Sequence, residues 1–294
     1  MKKIRILMVL GTLCCALNSN AQLDPMSSQY FNNRYQANAS FAGIEHGINL
    51  NAGLRSMWNN IPGAPVTQVF TFDYGFQRSG VGLNVYNDKA GLQRQTKVLA
   101  SYAYHLPLNE HNNLHFGVSL GFTNQRLSTS DINGNPNDVL VGQYNDRETY
   151  VDGDFGVAFT SSRLTLQASL PNLNKLFNRD NTKQADISRL YSAISYKIPL
   201  TSGGLSEELI EPLVAYRMIE GYKDILDVGA QAALINQQVL LSAIYHSSEN
   251  MTFGIGMDYK KKYLISGLYT TNTSSLNNYT NGSFEIYLRL KFGR

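Results

Sequence analysis

Alternation of apolar and polar residues with a period of two recurs along most of the chain after residue 45. In residues 284–292 the apolar side chains occupy the even positions and mostly polar ones the odd positions. Residues 114–123 follow the same rule, and residues 251–258 alternate with their apolar side chains at the odd positions. Such alternation predicts β-strands with two unlike faces. About fourteen such segments of roughly ten residues occur, centred near Asn51, Thr71, Leu83, Ser101, Val118, Phe155, Leu166, Ile194, Val214, Ala230, Ser242, Ile255, Gly267 and Leu288.

This alternation fits both a water-soluble β-sandwich and a membrane-spanning β-barrel. Segment length favours the barrel, because strands of soluble proteins usually have about 5 or 6 residues and crossing a bilayer takes about 9 to 11. Loop length favours it too, since short and long connections fall at opposite ends of the strands. The tight turns are expected near Arg78, Ser161, Gln237 and Lys261, and the longer loops near Asn60, Asn135, Arg179 and Asn277.

No apolar run after residue 21 is long enough for a helix that crosses a membrane, so any insertion must use strands. The sequence therefore predicts an all-β fold. We expect a transmembrane antiparallel β-barrel of the outer membrane, with about 14 strands, over residues 46–294.

The first 21 residues have the order of a secretory signal peptide. A positive start at residues 2–5 leads into an apolar run at residues 4–17, and small residues at 19–21 predict cleavage before Gln22. A membrane anchor is the alternative, but the apolar run is shorter than the roughly 20 residues a spanning helix needs. A lipid anchor at Cys14 or Cys15 is disfavoured because no small residue precedes them.

Removal of this segment changes the charge balance and the cysteine count. It carries three of the 25 basic residues and none of the 22 acidic ones, so the remaining chain is formally neutral. Net charge therefore gives no argument for a nucleic-acid partner. Both cysteines are lost as well, which excludes a disulfide framework from the mature chain.

In a barrel, the apolar series faces lipid and the small or polar series faces the lumen. The charges expected inside are Arg55, Lys97, Asp154, Asp227, Asp258, Glu285 and Arg289. A barrel of this size encloses more space than its own wall side chains fill, so water, an inserted segment or a partner must occupy it. Residues 22–45 do not alternate and form an N-terminal periplasmic or plug segment. The sequence leaves open which of the two it is.

Three patterns suggest chemistry, and each is incomplete. His105, His111 and His115 lack the further ligands that a zinc site needs. Residues 131–138 contain alternating Asp and Asn, but Pro136 stands where a calcium loop requires glycine. No serine, histidine and acid converge in any register with His105, His115 or His246. We therefore expect no catalytic, cofactor-binding or metal-binding residues, and no enzyme activity.

Three motifs near the start of the mature chain resemble the PorP/SprF family of type IX secretion system membrane proteins, which occurs in Bacteroidota. The first runs from Asp24 to Asn32 and is followed by Phe41-Ala42-Gly43, with Asn38-Ala39-Ser40 where the family usually has Asn-Pro-Ala. The second begins at Arg55 and runs through Gln68, with Pro62 at a position where a polar residue is commoner. The third is residues 80–91, which is similar almost residue for residue.

The resemblance implies a non-enzymatic outer-membrane component that assists export or surface attachment of cargo proteins, in some members gliding adhesins. Its implied partners are outer-membrane lipid, periplasmic ring and outer-membrane components of type IX secretion, and secreted cargo, with no nucleic acid. The candidate family-motif or partner-contact residues are Asp24, Pro25, Gln29, Tyr30, Arg55, Trp58, Gly63, Ala64, Pro65, Thr67, Gln68, Asn84, Tyr86, Asn87 and Asp88.

The same motifs also have an architectural interpretation. Residues 63–65 are expected to bend the chain at a barrel rim and residues 87–91 to form a turn. Trp58 suits the membrane interface. A general diffusion porin or small-solute channel is the main alternative function, and a lipid-modifying enzyme is a more distant one.

Overall fold

The computed structural model describes residues 26–58, 62–128, 139–145, 149–174, 187–200, 208–220, 223–272 and 280–293. The expected signal peptide and the motif residues Asp24 and Pro25 lie outside the described residues, as does the Asp- and Asn-rich stretch 131–138. Predictions about these parts of the chain stay predictions.

Antiparallel strands make up most of the described chain. They are β1 Gly47–Met57, β2 Val66–Phe76, β3 Ser79–Ala90, β4 Gln93–Pro107, β5 Asn113–Leu127, β6 Tyr150–Thr160, β7 Leu164–Leu170, β8 Ile187–Tyr196, β9 Ile198–Pro199, β10 Leu209–Glu220, β11 Ile225–Leu234, β12 Val239–His246, β13 Asn250–Tyr259, β14 Tyr263–Thr270 and β15 Ser283–Phe292. The helices are α1 Ser28–Phe31, α2 Val139–Asn145 and two 3₁₀ turns, Arg34–Gln36 and Ala39–Phe41.

The sheet closes on itself because β1 pairs with β15 along its length, from Ile48 opposite Phe292 to Met57 opposite Ser283. Every other strand pairs with its neighbours in the chain. The two-residue β9 continues β8, since both pair with β10, so the wall contains fourteen strands. The predicted barrel is confirmed, and each of the fourteen predicted centres lies in a wall strand.

The four predicted tight turns lie at one end of the barrel and the four predicted longer connections at the other. Tight turns at 77–78, 161–163, 235–238 and 260–262 lie at the end of the barrel where β1 begins and β15 stops. The strands joined by connections 58–65, 128–149, 171–186 and 271–282 meet at the other end, and so do those joined by the short connections 91–92, 221–224 and 247–249. The longer connection 200–208 joins strands at the end with the tight turns. Barrels of this kind place short turns in the periplasm and long loops outside the cell. We call the two ends the periplasmic rim and the outer rim.

The outward face is an apolar belt with aromatic side chains near both rims. Tyr74, Tyr102 and Tyr263 are exposed near the periplasmic rim, and Tyr245 and Tyr269 are exposed near the outer rim. Aromatic rings of this kind mark the two membrane interfaces. Among the helices of the described residues, none has the length and apolar character needed to cross a bilayer.

Residues 26–45 lie inside the barrel, against its inner wall. Helix α1 and the two 3₁₀ turns contact the inner wall, and Tyr30, Ser40 and Ala42 are fully buried. We call residues 26–45 the plug.

Candidate functional site: the plugged lumen

Two apolar clusters hold the plug against the wall. Tyr30 packs with Tyr191, Leu213, Ala215 and Ile244 in the first cluster. In the second, Tyr35, Phe41 and Ala42 of the plug pack with Ala103 and Ala158 of the wall. A wall strand that meets an apolar plug carries apolar residues on both faces. This explains why alternation is weak near Val214, where the inward neighbours are leucine and alanine.

Three lumen-facing glycines let the plug approach the wall closely. A Cβ on Gly117 would lie 2.2 Å from the backbone nitrogen of Ser40, and one on Gly156 would lie 2.0 Å from Oδ1 of Asn38. At Gly82 it would lie 2.4 Å from the hydroxyl of Tyr35. At Gly117 the neighbouring atoms are backbone, so this position requires glycine while the plug is in place; at Gly82 and Gly156 a larger residue would displace the side chain of Tyr35 or Asn38.

Asn38 anchors the middle of the plug. Its Nδ2 donates to the carbonyl oxygens of Val157 and Ala168 at 3.3 and 3.2 Å, on the neighbouring strands β6 and β7. Its Oδ1 accepts from the backbone N–H and the hydroxyl of Ser40 at 3.0 and 2.7 Å. Asn38 and Ser40 flank the position where this chain has alanine and the family usually has proline. With alanine at this position, the plug still forms its hydrogen bonds to the wall through Asn38.

A buried ionic network ties the first turn of the plug to the wall. The Tyr30 hydroxyl donates to Asp227 at 2.5 Å, the Arg217 Nε donates to the same carboxylate at 2.9 Å, and Nδ1 of His246 lies 2.6 Å from it. Burial raises the pKa of Tyr30 well above its ordinary value, so its hydroxyl stays protonated and remains a donor. A buried carboxylate is tolerated here because several donors satisfy it.

Two further wall carboxylates bind the plug. Glu285 accepts hydrogen bonds from the backbone N–H groups of Ser27 and Ser28 at 2.8 and 2.9 Å. Glu211 forms an ion pair with Arg34 and accepts from the Ser195 hydroxyl at 2.6 Å. These contacts bring together segments that are more than 150 residues apart in the chain.

Residues from the second and third family motifs meet Glu285 in one cross-strand row. The register places Glu285 opposite Arg55, Arg55 opposite Thr67, and Thr67 opposite Asp88, across β15, β1, β2 and β3. The Thr67 hydroxyl donates to Asp88 at 2.6 Å, and Arg55 is 2 % exposed. Because Glu285 also binds the plug backbone, the row connects the plug to the motif strands. We call these four residues the motif row.

Other motif residues also face the lumen or belong to the plug. Nδ2 of Asn84 donates to the backbone oxygen of Gln36 in the plug at 3.3 Å. Tyr86 lies two residues further along β3, on the same inward-facing series. Gln29 is a buried residue of α1.

The remaining motif residues lie at the outer rim, away from the plug. The backbone N–H of Trp58 donates to Gly282 at 2.8 Å, and that of Met57 donates to Pro65 at 2.9 Å. Gly63, with φ of +77°, accepts from the Gly91 N–H at 2.8 Å, and Ala64 separates it from Pro65. The predicted bend at residues 63–65 is confirmed, whereas the turn predicted over residues 87–91 was placed too early, because β3 continues to Ala90 and the turn is at 91–92.

Gln68 and Asn87 face outward. Nδ2 of Asn87 donates to Oε1 of Gln68 at 3.3 Å across β2 and β3. The thirteen candidate residues that the structure describes therefore fall into two groups, one in or facing the plugged lumen and the other at or near the outer rim.

The charges predicted to point inward do so. In addition to the networks above, Nζ of Lys97 donates to Asp154 at 3.0 Å, and Arg289 pairs with Asp258. Sequence reasoning missed Arg34, Asn38, Glu211 and Arg217 as plug or wall anchors. The available signal was the pair of inward-facing charges Glu211 and Arg217 on β10.

His105 and His115 contact each other, with their Nδ1 atoms 2.9 Å apart. The Nε2 of His105 lies 3.1 Å from the carbonyl oxygen of Ala42, and that of His115 lies 2.8 Å from the Thr160 hydroxyl. These histidines therefore join the plug to the periplasmic end of the wall. Within the part of the chain that the structure describes, no three His, Cys, Asp or Glu side chains are grouped as metal ligands would be.

A cavity of about 300 Å³ remains between plug and wall toward the periplasmic rim. Its lining includes Asn33, Asp73, Thr165, Lys197 and Lys291. The lining is polar, which suits ordered water between the plug and the wall.

Solved structures with similar folds are outer-membrane barrels. The Omp33 outer membrane protein of Acinetobacter baumannii matches with a TM-score of 0.50 and 6% identity, over 85% of this chain and 100% of that one. The toluene transporter TbuX of Ralstonia pickettii matches with a TM-score of 0.51 and 12% identity, over 87% and 92% of the two chains. At these identities the likeness shows the fold alone.

The comparison with curated protein sequences found no match. The model of one protein family, described as type IX secretion system membrane protein PorP/SprF, matches residues 19–290. That match spans the plug, the motif row and nearly all of the barrel wall. The chain therefore belongs to the PorP/SprF family of type IX secretion system membrane proteins and is a β-barrel of the outer membrane.

Proposed function

We propose that this barrel is a non-enzymatic binding component of type IX secretion, which assists export or surface attachment of cargo by holding both machinery and cargo. The observation that carries the proposal is the plug. A segment of the chain itself occupies the lumen and is held by two apolar clusters and three buried carboxylates. Because the lumen of such a barrel is filled, its rims and loops are the surfaces that bind partners.

The plug also argues against the alternative of a general diffusion porin. Porins of comparable or larger size keep a water-filled channel, whereas here the space near the middle of the barrel is taken by Tyr30, Tyr35 and Phe41. Free passage of solutes would require the plug to leave. That movement would expose the Asp227 carboxylate and would break its hydrogen bond to Tyr30.

The two rims have different roles in this proposal. The periplasmic rim, from which the plug enters the barrel, faces the periplasmic ring of the machinery. The outer rim carries the long connections and the motif residues Gly63, which is exposed, and Trp58, Ala64 and Pro65, which are partly exposed. We assign cargo contact to this rim. The motif residues Tyr30, Arg55, Thr67 and Asp88, which face the lumen, would then act by holding the plug.

The primary test is deletion of the gene, followed by comparison of secreted and surface proteins by quantitative mass spectrometry. We expect a specific set of proteins to disappear from the surface or the medium and to return when the native chain is restored. A companion pull-down of the tagged barrel from solubilised membranes should recover type IX components and one or more members of that set. Unchanged secreted proteins, together with repeated recovery of neither partner class, would refute the proposal.

A variant can separate the two rims. Trp58→Ala at the outer rim should reduce the recovery of cargo in the pull-down and leave recovery of the machinery unchanged. Tyr245→Phe is the matched control, because this aromatic side chain faces lipid near the same rim. Equal loss of cargo and machinery in the Trp58 variant would contradict the assignment of separate rims.

Planar-bilayer recording distinguishes the porin alternative. The native barrel should show no steady large conductance, because its lumen is occupied. Steady conductance by the intact chain, combined with unchanged secretion after deletion, would favour the porin instead.

A further inference from the structure

Three cationic side chains lie side by side on the outward face of the barrel near the outer rim. The strand register pairs Lys89 with Arg94 and Arg94 with Arg126, across β3, β4 and β5. By the period of two they share the outward face with the apolar belt, and Lys89 and Arg126 are exposed. We call these three residues the basic row.

The three charges of the basic row have the same sign. Like charges on directly opposed positions of neighbouring strands repel each other. All outward-facing positions of β2, β3, β4 and β5 are described, and none carries Asp or Glu. Nη1 of Arg94 also donates to the backbone oxygens of Gly91 and Gln93 at 2.6 and 2.9 Å, which holds its guanidinium at the β3–β4 turn. The fold thus places three positive charges at the same height along the membrane normal.

That height corresponds to the headgroup layer of the outer leaflet. From the belt toward the outer rim, successive outward rows are Val85–Val98–Phe122, then Asn87–Thr96–Asn124, then the basic row. Rows two residues apart are separated by about 7 Å along a strand, or about 5 Å along the membrane normal at the usual tilt. The basic row therefore lies about 10 Å beyond the last apolar row. Lysine and arginine side chains reach several ångströms from the backbone toward such a layer.

We propose that the basic row binds the phosphate-bearing headgroup of a glycolipid in the outer leaflet. Charge complementarity favours a phosphate group, because the guanidinium fork of arginine matches phosphate oxygens. Directly below, the Thr96 hydroxyl donates to Oδ1 of Asn87 at 3.0 Å, in a row of amides and hydroxyls that suits the sugar and ester groups of the same lipid. The apolar belt beneath accommodates the acyl chains, so one lipid contacts all three rows.

The test uses the full-length mature barrel, purified in detergent and titrated with diphosphoryl lipid A under native mass spectrometry. The variant is Lys89→Gln combined with Arg126→Gln, and Arg94 is kept because it also binds the turn. Each such charge near an anionic lipid surface strengthens binding about fivefold, so loss of two predicts an affinity about 30-fold weaker. Heat-modifiable migration on electrophoresis shows whether the variant barrel is folded.

The control is Lys260→Gln with Lys261→Gln, which removes the same charge from the periplasmic turn between β13 and β14. It should bind the lipid as the native chain does. Three outcomes would overturn the proposal: native affinity in the basic-row variant, equal loss in the control, or displacement of the lipid by inorganic phosphate. The last result would indicate a site for the free anion. Lipid A without phosphates should bind the native barrel and the basic-row variant alike.

Discussion

The hydrogen bond from Tyr30 to Asp227 makes the docking of the plug measurable. Tyr30→Phe removes the hydroxyl and keeps the ring in its apolar cluster with Tyr191 and Leu213. Asp227 then keeps Arg217 and His246 as partners and loses one buried donor at 2.5 Å. A hydrogen bond to a charged group contributes about 1.5 to 3 kcal/mol net, so the docked plug should lose about that much free energy.

Hydrogen exchange followed by mass spectrometry measures this loss of docking free energy. The plug amides exchange in molecules whose plug has left the wall, so a larger fraction of such molecules gives a proportionally faster exchange rate. A loss of 1.5 to 3 kcal/mol corresponds to exchange about 10- to 150-fold faster in residues 26–45. The strands of the barrel should exchange at their native rates, because their ladder hydrogen bonds are unchanged.

Tyr245→Phe is the matched control for this experiment. Tyr245 precedes His246 in β12, faces outward and is 49% exposed, so its hydroxyl is remote from the plug. The control should leave exchange in the plug unchanged. Unaltered exchange in Tyr30→Phe would refute the reasoning, and so would an equal acceleration of the plug and the wall strands.

Three further changes probe the same interface. Asp227→Ala removes the buried carboxylate that Arg217 binds and should lower the free energy of unfolding by about 3 to 5 kcal/mol. The loss is measured as a lower unfolding temperature. The control Asp224→Ala, at the exposed start of β11, should change the unfolding temperature little. Gly156→Val places a side chain where the plug sits and should accelerate plug exchange; Gly267→Val, at an open outward position, should not. Removal of residues 26–45 should convert a silent barrel into one with steady conductance in planar bilayers, and a silent truncated barrel would contradict the role of the plug.

Much of the wall was predictable because strand alternation is a local property. In β15 the apolar side chains at even positions face lipid and the odd positions face the lumen, as the order of residues indicates. The strand count, the tight turns and the inward charges such as Glu285 follow from that pattern. The family resemblance was carried by short contiguous motifs, and the family match over residues 19–290 confirms it.

The candidate site was less predictable, because its contacts join residues that are distant in the chain. The motifs indicated that Arg55, Thr67 and Asp88 matter, yet only the register across β1, β2 and β3 places them in one row. The signal for the plug was weak, since residues 26–45 lack any periodic pattern. Their two short 3₁₀ turns and four-residue helix are stabilised by the surrounding wall.

By itself, the sequence determined that this chain forms a closed, lipid-facing wall. A period of two leaves one face of each strand apolar, and hydrogen bonds between neighbouring strands close the sheet into a barrel. Only the tertiary structure decided what fills that wall. Tyr30 meets Asp227 across 197 residues, and Ser28 meets Glu285 across 257. Such pairings depend on closure of the barrel, and closure brings together side chains that no local pattern relates.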